Sequence, residues 1–331
     1  MTNHQYRLAS RPEGVVTREN FDLVEEEIPS PGDGEFVVKL EYVSLDPAMR
    51  GWMNDVRSYL PPVQIGEVMR ALGAGTVISS NHGSLKEGDH VVGVFGVQEF
   101  ALSDGKSVIT VDPNLVPLPT YLAVLGMTGM TAYFGLLDVG EVKGGETVVV
   151  SGAAGAVGSV AGQIAKIKGC TVIGIAGGEE KCKWITDDLG FDAAIDYKSE
   201  DVRAALKQHC PKGVDVYFDN VGGEILDIVL TRLARRARIV ICGAISQYNR
   251  EGGMKGPSNY MSLLVNRARM EGFVVFDYVD RYAEAGIQMA GWMAEGKLES
   301  REDIVEGFEH FTDALLKLFK GENIGKLILK V

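Results

Sequence analysis

The chain has few thiols and imidazoles with which to bind zinc or cross-link itself. Its 331 residues include 4 cysteines (Cys170, Cys182, Cys210 and Cys242) and 5 histidines. No two cysteines form a Cys-x-x-Cys pair, and no histidine stands at tetrahedral-zinc spacing from one. That excludes a zinc motif of the usual kind and a disulfide framework. The four thiols are expected to be small, incidental groups in a reducing compartment. Long apolar runs are missing too. The nearest, Tyr121 to Val139, is broken by Gly126, Gly129 and Gly135 and reads as buried helix, not as a membrane span. Met1 to Arg7 has no apolar signal-peptide run, so a cytoplasmic protein is expected. Basic charge is in deficit, with 33 Lys and Arg against 45 Asp and Glu and a net charge of -12. A general nucleic-acid binder needs a basic face, so that class is excluded. No internal repeat, low-complexity tract or long linker is present.

Apolar material is ample, at 46% hydrophobic residues. The length exceeds what one ordinary core supports, which implies two domains. Up to about Pro119 the texture is β. Runs such as Phe36 to Leu40 and His90 to Phe95 are separated by turn formers at Pro29 to Gly34 and Lys86 to Asp89. Close-spaced short strands predict a mainly β, barrel-like or sandwich domain. From Leu122 strands and helices alternate. Strands are expected at Thr147–Val150, Thr171–Ile175, Ala193–Ile195, Val214–Phe218, Arg238–Cys242 and Gly272–Phe276. Helices are expected at Val157–Ile167, Glu180–Leu189, Glu200–His209, Glu224–Leu233 and Tyr282–Glu295. That order is the signature of an α/β, doubly wound parallel sheet. The tail, with a helix Thr312–Lys320 and a strand Gly325–Val331, breaks the alternation and is expected to return to the first domain. The expected division is 1–121 with 296–331, and 122–295.

One motif in the second domain carries chemistry. Gly152-Ala153-Ala154-Gly155-Ala156-Val157-Gly158 follows a strand, opens a helix and starts a βαβ unit of about thirty residues. Glycines let the backbone approach a pyrophosphate, and the N–H groups at the helix start carry partial positive charge toward it. A dinucleotide is expected there. An acid at the end of the second strand would bond the ribose 2′-hydroxyl of NAD. Here that strand runs into Gly177-Gly178-Glu179-Glu180-Lys181. Glu179 and Glu180 suit NAD or a helix N-terminus, whereas Lys181 or Lys183 suits the 2′-phosphate of NADP. Charge alone leaves the two cofactors nearly even.

Further segments carry a resemblance. They are Leu45-Asp46-Pro47-Ala48-Met49-Arg50-Gly51, Leu125 to Tyr133, the glycine turn, Gly178 to Cys182, Tyr217 to Gly223, Ile241 to Asn249, Met270 to Val275 and Gly321 to Lys326. In these the chain resembles the medium-chain dehydrogenase/reductase superfamily over its whole length. Within it the chain looks like the zinc-independent branch of leukotriene B4 dehydrogenases, prostaglandin reductases and plant alkenal double-bond reductases, and most of all like bacterial NADPH-dependent curcumin reductase. The resemblance implies a Rossmann NADP-binding domain beside a barrel-like, GroES-like catalytic domain. It also implies NADPH-dependent reduction of activated carbon–carbon double bonds in small enones, and a homodimer.

By the same resemblance, Gly152, Gly155, Ala156, Val157 and Gly158 hold the pyrophosphate, and Lys181 and Tyr197 the 2′-phosphate. Asn220 lies beside the cofactor. Cys242, Gly243, Ala244, Ile245, Ser246 and Tyr248 line the nicotinamide side with Phe273, Val274 and Val275, and Asn323 reaches in from the tail. Zinc branches carry a cysteine near Leu45-Asp46-Pro47 and a histidine before the glutamate near Glu67; this chain has Gly66 before Glu67, so no metal is expected. Without a metal, the enolate left by hydride addition at the β-carbon needs hydrogen-bond donors and a proton. Tyr248 and Tyr59 match tyrosines near the substrate in relatives, and water is the alternative proton source. Tyr59 reads equally well as a packing aromatic on its Pro-rich loop. Relatives often have tyrosines where Ala48 and Val265 stand here, which implies a more apolar or roomier pocket. Arg50 is expected to serve its loop, with a role lining the cleft as the alternative. Two other functions fit the same residues, a zinc-free quinone reductase and a non-catalytic NADPH-binding sensor.

Overall fold

The computed structural model describes residues 2–331. The chain divides into two compact units, residues 2–122 with 302–331, and 123–301. The first begins with the antiparallel pair β1 (Thr2–Leu8) and β2 (Phe21–Glu27). Strands β3 (Phe36–Ser44), β4 (Leu72–Ser80), β5 (His90–Val94), β6 (Phe100–Ser103) and β7 (Ile109–Val111) follow. A short helix α1 (Ala48–Trp52) leaves the end of β3.

In the second unit α2 (Met127–Phe134) precedes β8 (Thr147–Ser151), α3 (Ala156–Ile167) and β9 (Thr171–Ala176). Then come α4 (Glu179–Lys183), β10 (Ala193–Asp196), α5 (Val202–His209), β11 (Val214–Asp219) and α6 (Gly223–Leu230). β12 (Leu233–Ile241), α7 (Met261–Asn266), β13 (Arg269–Gly272) and α8 (Tyr282–Ala294) complete it. All pairings in its six-stranded sheet are parallel, in the order β10-β9-β8-β11-β12-β13. Runs such as Val148-Val149-Val150 are fully buried, as strands covered on both faces must be. The chain reverses direction across the sheet between β8 and β11, the switch point beside which open α/β sheets bind ligands.

The tail adds β14 (Glu302–Glu306), α9 (Phe311–Phe319) and β15 (Lys326–Lys330) to the first unit. β15 pairs antiparallel with β3, and the strand path runs β14-β15-β3-β4-β5-β7 with β6 also on β3. Among the described residues this path is open and does not close into a barrel. Its core joins Leu8, Phe36, Leu40, Met49 and Leu329 to Phe311 and Leu315 of α9.

Local departures from expectation have physical causes. The expected strand Gly272–Phe276 is instead Arg269–Gly272, ending opposite Ile241 where its partner β12 ends, and a 3-10 turn runs over Val275–Arg281. The expected helix over Glu180–Leu189 changes at Trp184 into a π turn that buries Trp184 and Ile185. β12 starts early, at Leu233, and carries a bulge against β11, with Arg236 at φ 65°. Among the described residues no helix is long and apolar enough to cross a membrane.

Candidate active site

The candidate residues of the second unit lie along one edge of its sheet, because parallel strands all end on the same side. In sheet order, Tyr197 follows β10, Lys181 lies in α4, the short helix after β9, and the glycine turn follows β8. Asn220 follows β11, Cys242 to Tyr248 follow β12, and Phe273 to Val275 follow β13.

At the glycine turn the backbone doubles back on itself. Gly155 N–H donates to Gly152 O at 2.9 Å, and Ala153 N–H to Ile175 O at 3.1 Å. A Cβ on Gly158 would stand 2.3 Å from Gly152 O and 2.9 Å from Ala153 Cα, so no larger residue fits. α3 then starts at Ala156 with Gly155 as its N-cap and no side-chain cap bond. An uncapped helix start behind a turn this close suits an anion such as a diphosphate. By this cradle and by its edge of strand ends, the unit fits a dinucleotide.

The next strand ends are organised by Asp219, which sequence reasoning passed over. It is fully buried. Its Oδ1 accepts from Ser151 Oγ (2.9 Å), Tyr217 Oη (2.8 Å), Val221 N (3.0 Å) and Gly222 N (2.9 Å). Its carbonyl accepts from the N–H groups of Cys242 and Gly243 at 2.9 and 3.0 Å. One residue therefore binds the ends of β8, β11 and β12 together. Burial raises its carboxyl above the usual range, against the backbone donors that lower it. Asn220 donates from Nδ2 to Ser151 O at 2.7 Å. Ile245 N–H returns to Asn220 O, and Ser246 bonds Val221 O through both N and Oγ. Tyr248 Oη accepts from Ala244 N–H at 3.1 Å, so its hydroxyl is fixed over the start of its own loop. Burial pushes the Cys242 thiol up to about 12, so it stays protonated at neutral pH. Phe273 packs where a Cβ on Gly135 would strike its ring, and Val275 O accepts from Tyr282 Oη.

At the other end of the edge the two acids that could have served NAD face cations. Glu179 pairs with Lys183 at 2.6 Å, and Glu180 lies 3.8 Å from Arg301, whose guanidinium stacks over Trp184. Tyr197 lies against Gly177, where a Cβ would come within 2.7 Å of its ring.

Tyr59 and Asn323 belong to the first unit. Tyr59 is exposed, at 54% of its surface. Asn323 is buried, with Nδ2 donating to Gly325 O at 3.0 Å. Arg50 is buried and donates to the carbonyls of Pro12 and Gly14 and to Asn54 Oδ1, the loop-holding role expected of it. Ala48 packs against the core of the first unit, and Val265 is exposed in the second. Among the described residues no group of His, Cys, Asp and Glu is arranged to hold a metal ion.

Residues 4–111 match the family model described as the N-terminal domain of oxidoreductase, and residues 156–291 the one described as zinc-binding dehydrogenase. The chain is 42% identical to the NADPH-dependent curcumin reductase of Escherichia coli (strain K12), covering 99% of this chain and 97% of that protein. It is 49% identical to a putative NADP-dependent oxidoreductase of Bacillus subtilis (strain 168), over 100% of this chain and 98% of that one. The crystal structure of CurA from Vibrio vulnificus in complex with NADPH superposes with a TM-score of 0.94, at 46% identity and 99% coverage of both chains.

Proposed function

Since this chain belongs to the zinc-independent branch of the medium-chain dehydrogenase/reductase family, we propose that it reduces the carbon–carbon double bond of α,β-unsaturated ketones and aldehydes with NADPH. The observation that carries this reading is the row of strand ends from Tyr197 to Val275. The close-packed glycine turn lies in the middle of that row, and the other candidate residues follow the ends of β10, β9, β11, β12 and β13.

NADPH, when bound, supplies the hydride. The uncapped start of α3 and the turn Gly152 to Gly158 hold the diphosphate through backbone N–H groups. Lys181 and Tyr197 hold the 2′-phosphate, a contact NADH cannot make. Asn220, the loop Cys242 to Tyr248 and Phe273 to Val275 line the nicotinamide side. Reduction at the β-carbon moves negative charge onto the carbonyl oxygen. The Tyr248 hydroxyl stabilises that charge as a neutral donor, strengthened by the bond it accepts from Ala244 N–H. A tyrosine hydroxyl or water delivers the proton to the α-carbon.

The test is NADPH consumption over a panel of enones and quinones, with mass spectrometry of the products. Saturated ketones or aldehydes are expected. Tyr248→Phe should lower kcat by about 10- to 100-fold with little change in KM, because the donor acts on charge that develops in the transition state. Turnover of quinones without saturation of any enone, or tight NADPH binding with no turnover, would overturn the reading.

A further inference from the structure

We infer that Asp196 is a positioning residue for the 2′-phosphate, its carboxylate fixing the placement of Lys181 relative to Tyr197. The inference rests on the NADPH reading and extends it to a residue that makes no contact with the phosphate in that reading.

Asp196 ends β10 directly opposite Ala176, the last residue of β9. Its Oδ1 accepts from Gly178 N–H at 2.8 Å and Lys198 N–H at 3.0 Å, and its Oδ2 accepts from Ser199 Oγ at 2.8 Å. Its own N–H donates to Glu200 Oε1 at 2.8 Å. Gly178 is the N-cap of α4, with φ 99°, and makes no side-chain cap bond of its own. The carboxylate of the neighbouring strand therefore holds the residue from which α4 starts, and Lys181 is the third residue of that helix. On the other side Tyr197 follows Asp196 directly. Its N–H donates to Ala176 O at 3.1 Å and its ring lies on Gly177. One carboxylate thus ties the start of the helix that carries Lys181 to the turn that carries Tyr197.

The charge of Asp196 works the other way. The bond from Gly178 N–H holds its carboxyl below the usual range, so it is ionised at neutral pH, where it repels a phosphate dianion. Placement and repulsion predict opposite results when the side chain is removed. Asp196 is only half-buried, so solvent screens the repulsion, and placement should win.

The experiment measures binding of adenosine 2′,5′-bisphosphate and of 5′-AMP, which differ only in the 2′-phosphate, by calorimetry. Asp196→Ala should weaken the bisphosphate about tenfold and AMP less than about twofold. Asp196→Asn keeps an oxygen for Gly178 N–H and should stay within about threefold of the parent for both. Asp196→Glu keeps the charge but moves it by one methylene, and should lose the bisphosphate selectively as alanine does. The glutamate variant also decides the matter if the alanine variant fails to fold. Tighter bisphosphate binding by Asp196→Ala would overturn the inference, as would equal weakening of both ligands or parent-like binding by Asp196→Glu. Lys181→Ala separates the two levels. If it spares the bisphosphate, the NADPH reading itself falls; if it is selective while Asp196→Ala is silent, only the inference falls.

Discussion

In the nucleotide-binding unit, Asp219 is buried against neutral donors alone: two hydroxyls and two backbone N–H groups converge on Oδ1, and Oδ2 has no hydrogen-bond partner. In the first unit, Asp46 is buried against a cation. Lys326 Nζ stands 2.6 Å from its Oδ1 and also donates to Leu45 O at 2.8 Å, while Ser44 Oγ donates to Oδ2. Burial raises the Asp219 carboxyl and lowers the Lys326 ammonium, each toward its neutral form. The first arrangement gathers three strand ends at the edge where the nucleotide is proposed to bind. The second staples the last strand of the chain to the loop after β3. One aspartate orders a site, and the other closes a fold.

The largest effect is expected where that contrast is broken in the first unit. Lys326→Met leaves the Asp46 charge buried without its cation and should cost about 3–5 kcal/mol of unfolding free energy. Adding Asp46→Asn should restore most of it, because no buried charge then remains. The matching change Asp219→Asn keeps an acceptor for the four donors and removes a charge that no cation balances, so its cost should lie within about 1–2 kcal/mol. Urea unfolding of the four proteins checks this. Equal losses for Lys326→Met and Asp219→Asn would erase the distinction.

A smaller effect on stability, with a large one on binding, is expected at the glycine turn. Gly158→Ala forces a Cβ against the Gly152 carbonyl and should cost about 1–3 kcal/mol of stability, weakening NADPH about 100-fold. Gly155→Ala meets only Gly152 O, at 3.2 Å, and should leave the fold nearly intact while crowding the diphosphate. Thermal unfolding and fluorescence titration distinguish the pair. If Gly155→Ala destabilises the fold as much as Gly158→Ala does, the close approach at Gly158 is not what shapes the turn.

The glycine turn and the strands around it were legible because both are local. A buried strand reads as a short β-branched run, and a tight turn needs glycine whatever lies elsewhere. β14 was not legible: Glu302-Asp303-Ile304-Val305-Glu306 has only two apolar residues, and it is a strand because β15 lies beside it. Gly272 to Phe276 reads as strand on composition, but a strand stops where its partner stops, and β12 ends at Ile241. The cofactor choice was open for a related reason. Glu179 and Glu180 suit NAD as well in sequence as Lys181 suits NADP, and the Arg301 beside Glu180 is brought there by the path of the chain after α8. Asp219 and Asp196 escaped notice because their work is done on backbone N–H groups, which leave no mark in the residue types around them. Tyr59 and Tyr248 came only with the family resemblance, since an isolated tyrosine has no pattern to betray its role.

The smallest effect tests the same contrast at the surface. His4 on β1 stands 2.6 Å from Glu99 and 3.3 Å from Glu25. The bond to Glu99 raises its pKa above 6.5, offset in part by desolvation. A raised histidine binds its proton more tightly in the folded chain, so its contribution is complete below about pH 6.5 and is lost as the pH rises through the folded value. The groups are partly exposed and screened, and the contribution should stay below about 1 kcal/mol. His4→Gln should therefore flatten the fall in unfolding free energy between about pH 6 and 8 by that amount, and 0.5 M salt should do much the same to the parent. A loss as large as that from Lys326→Met would mean that exposure does not separate these ion pairs. The role given to the buried pair in closing the first unit would then lose its basis.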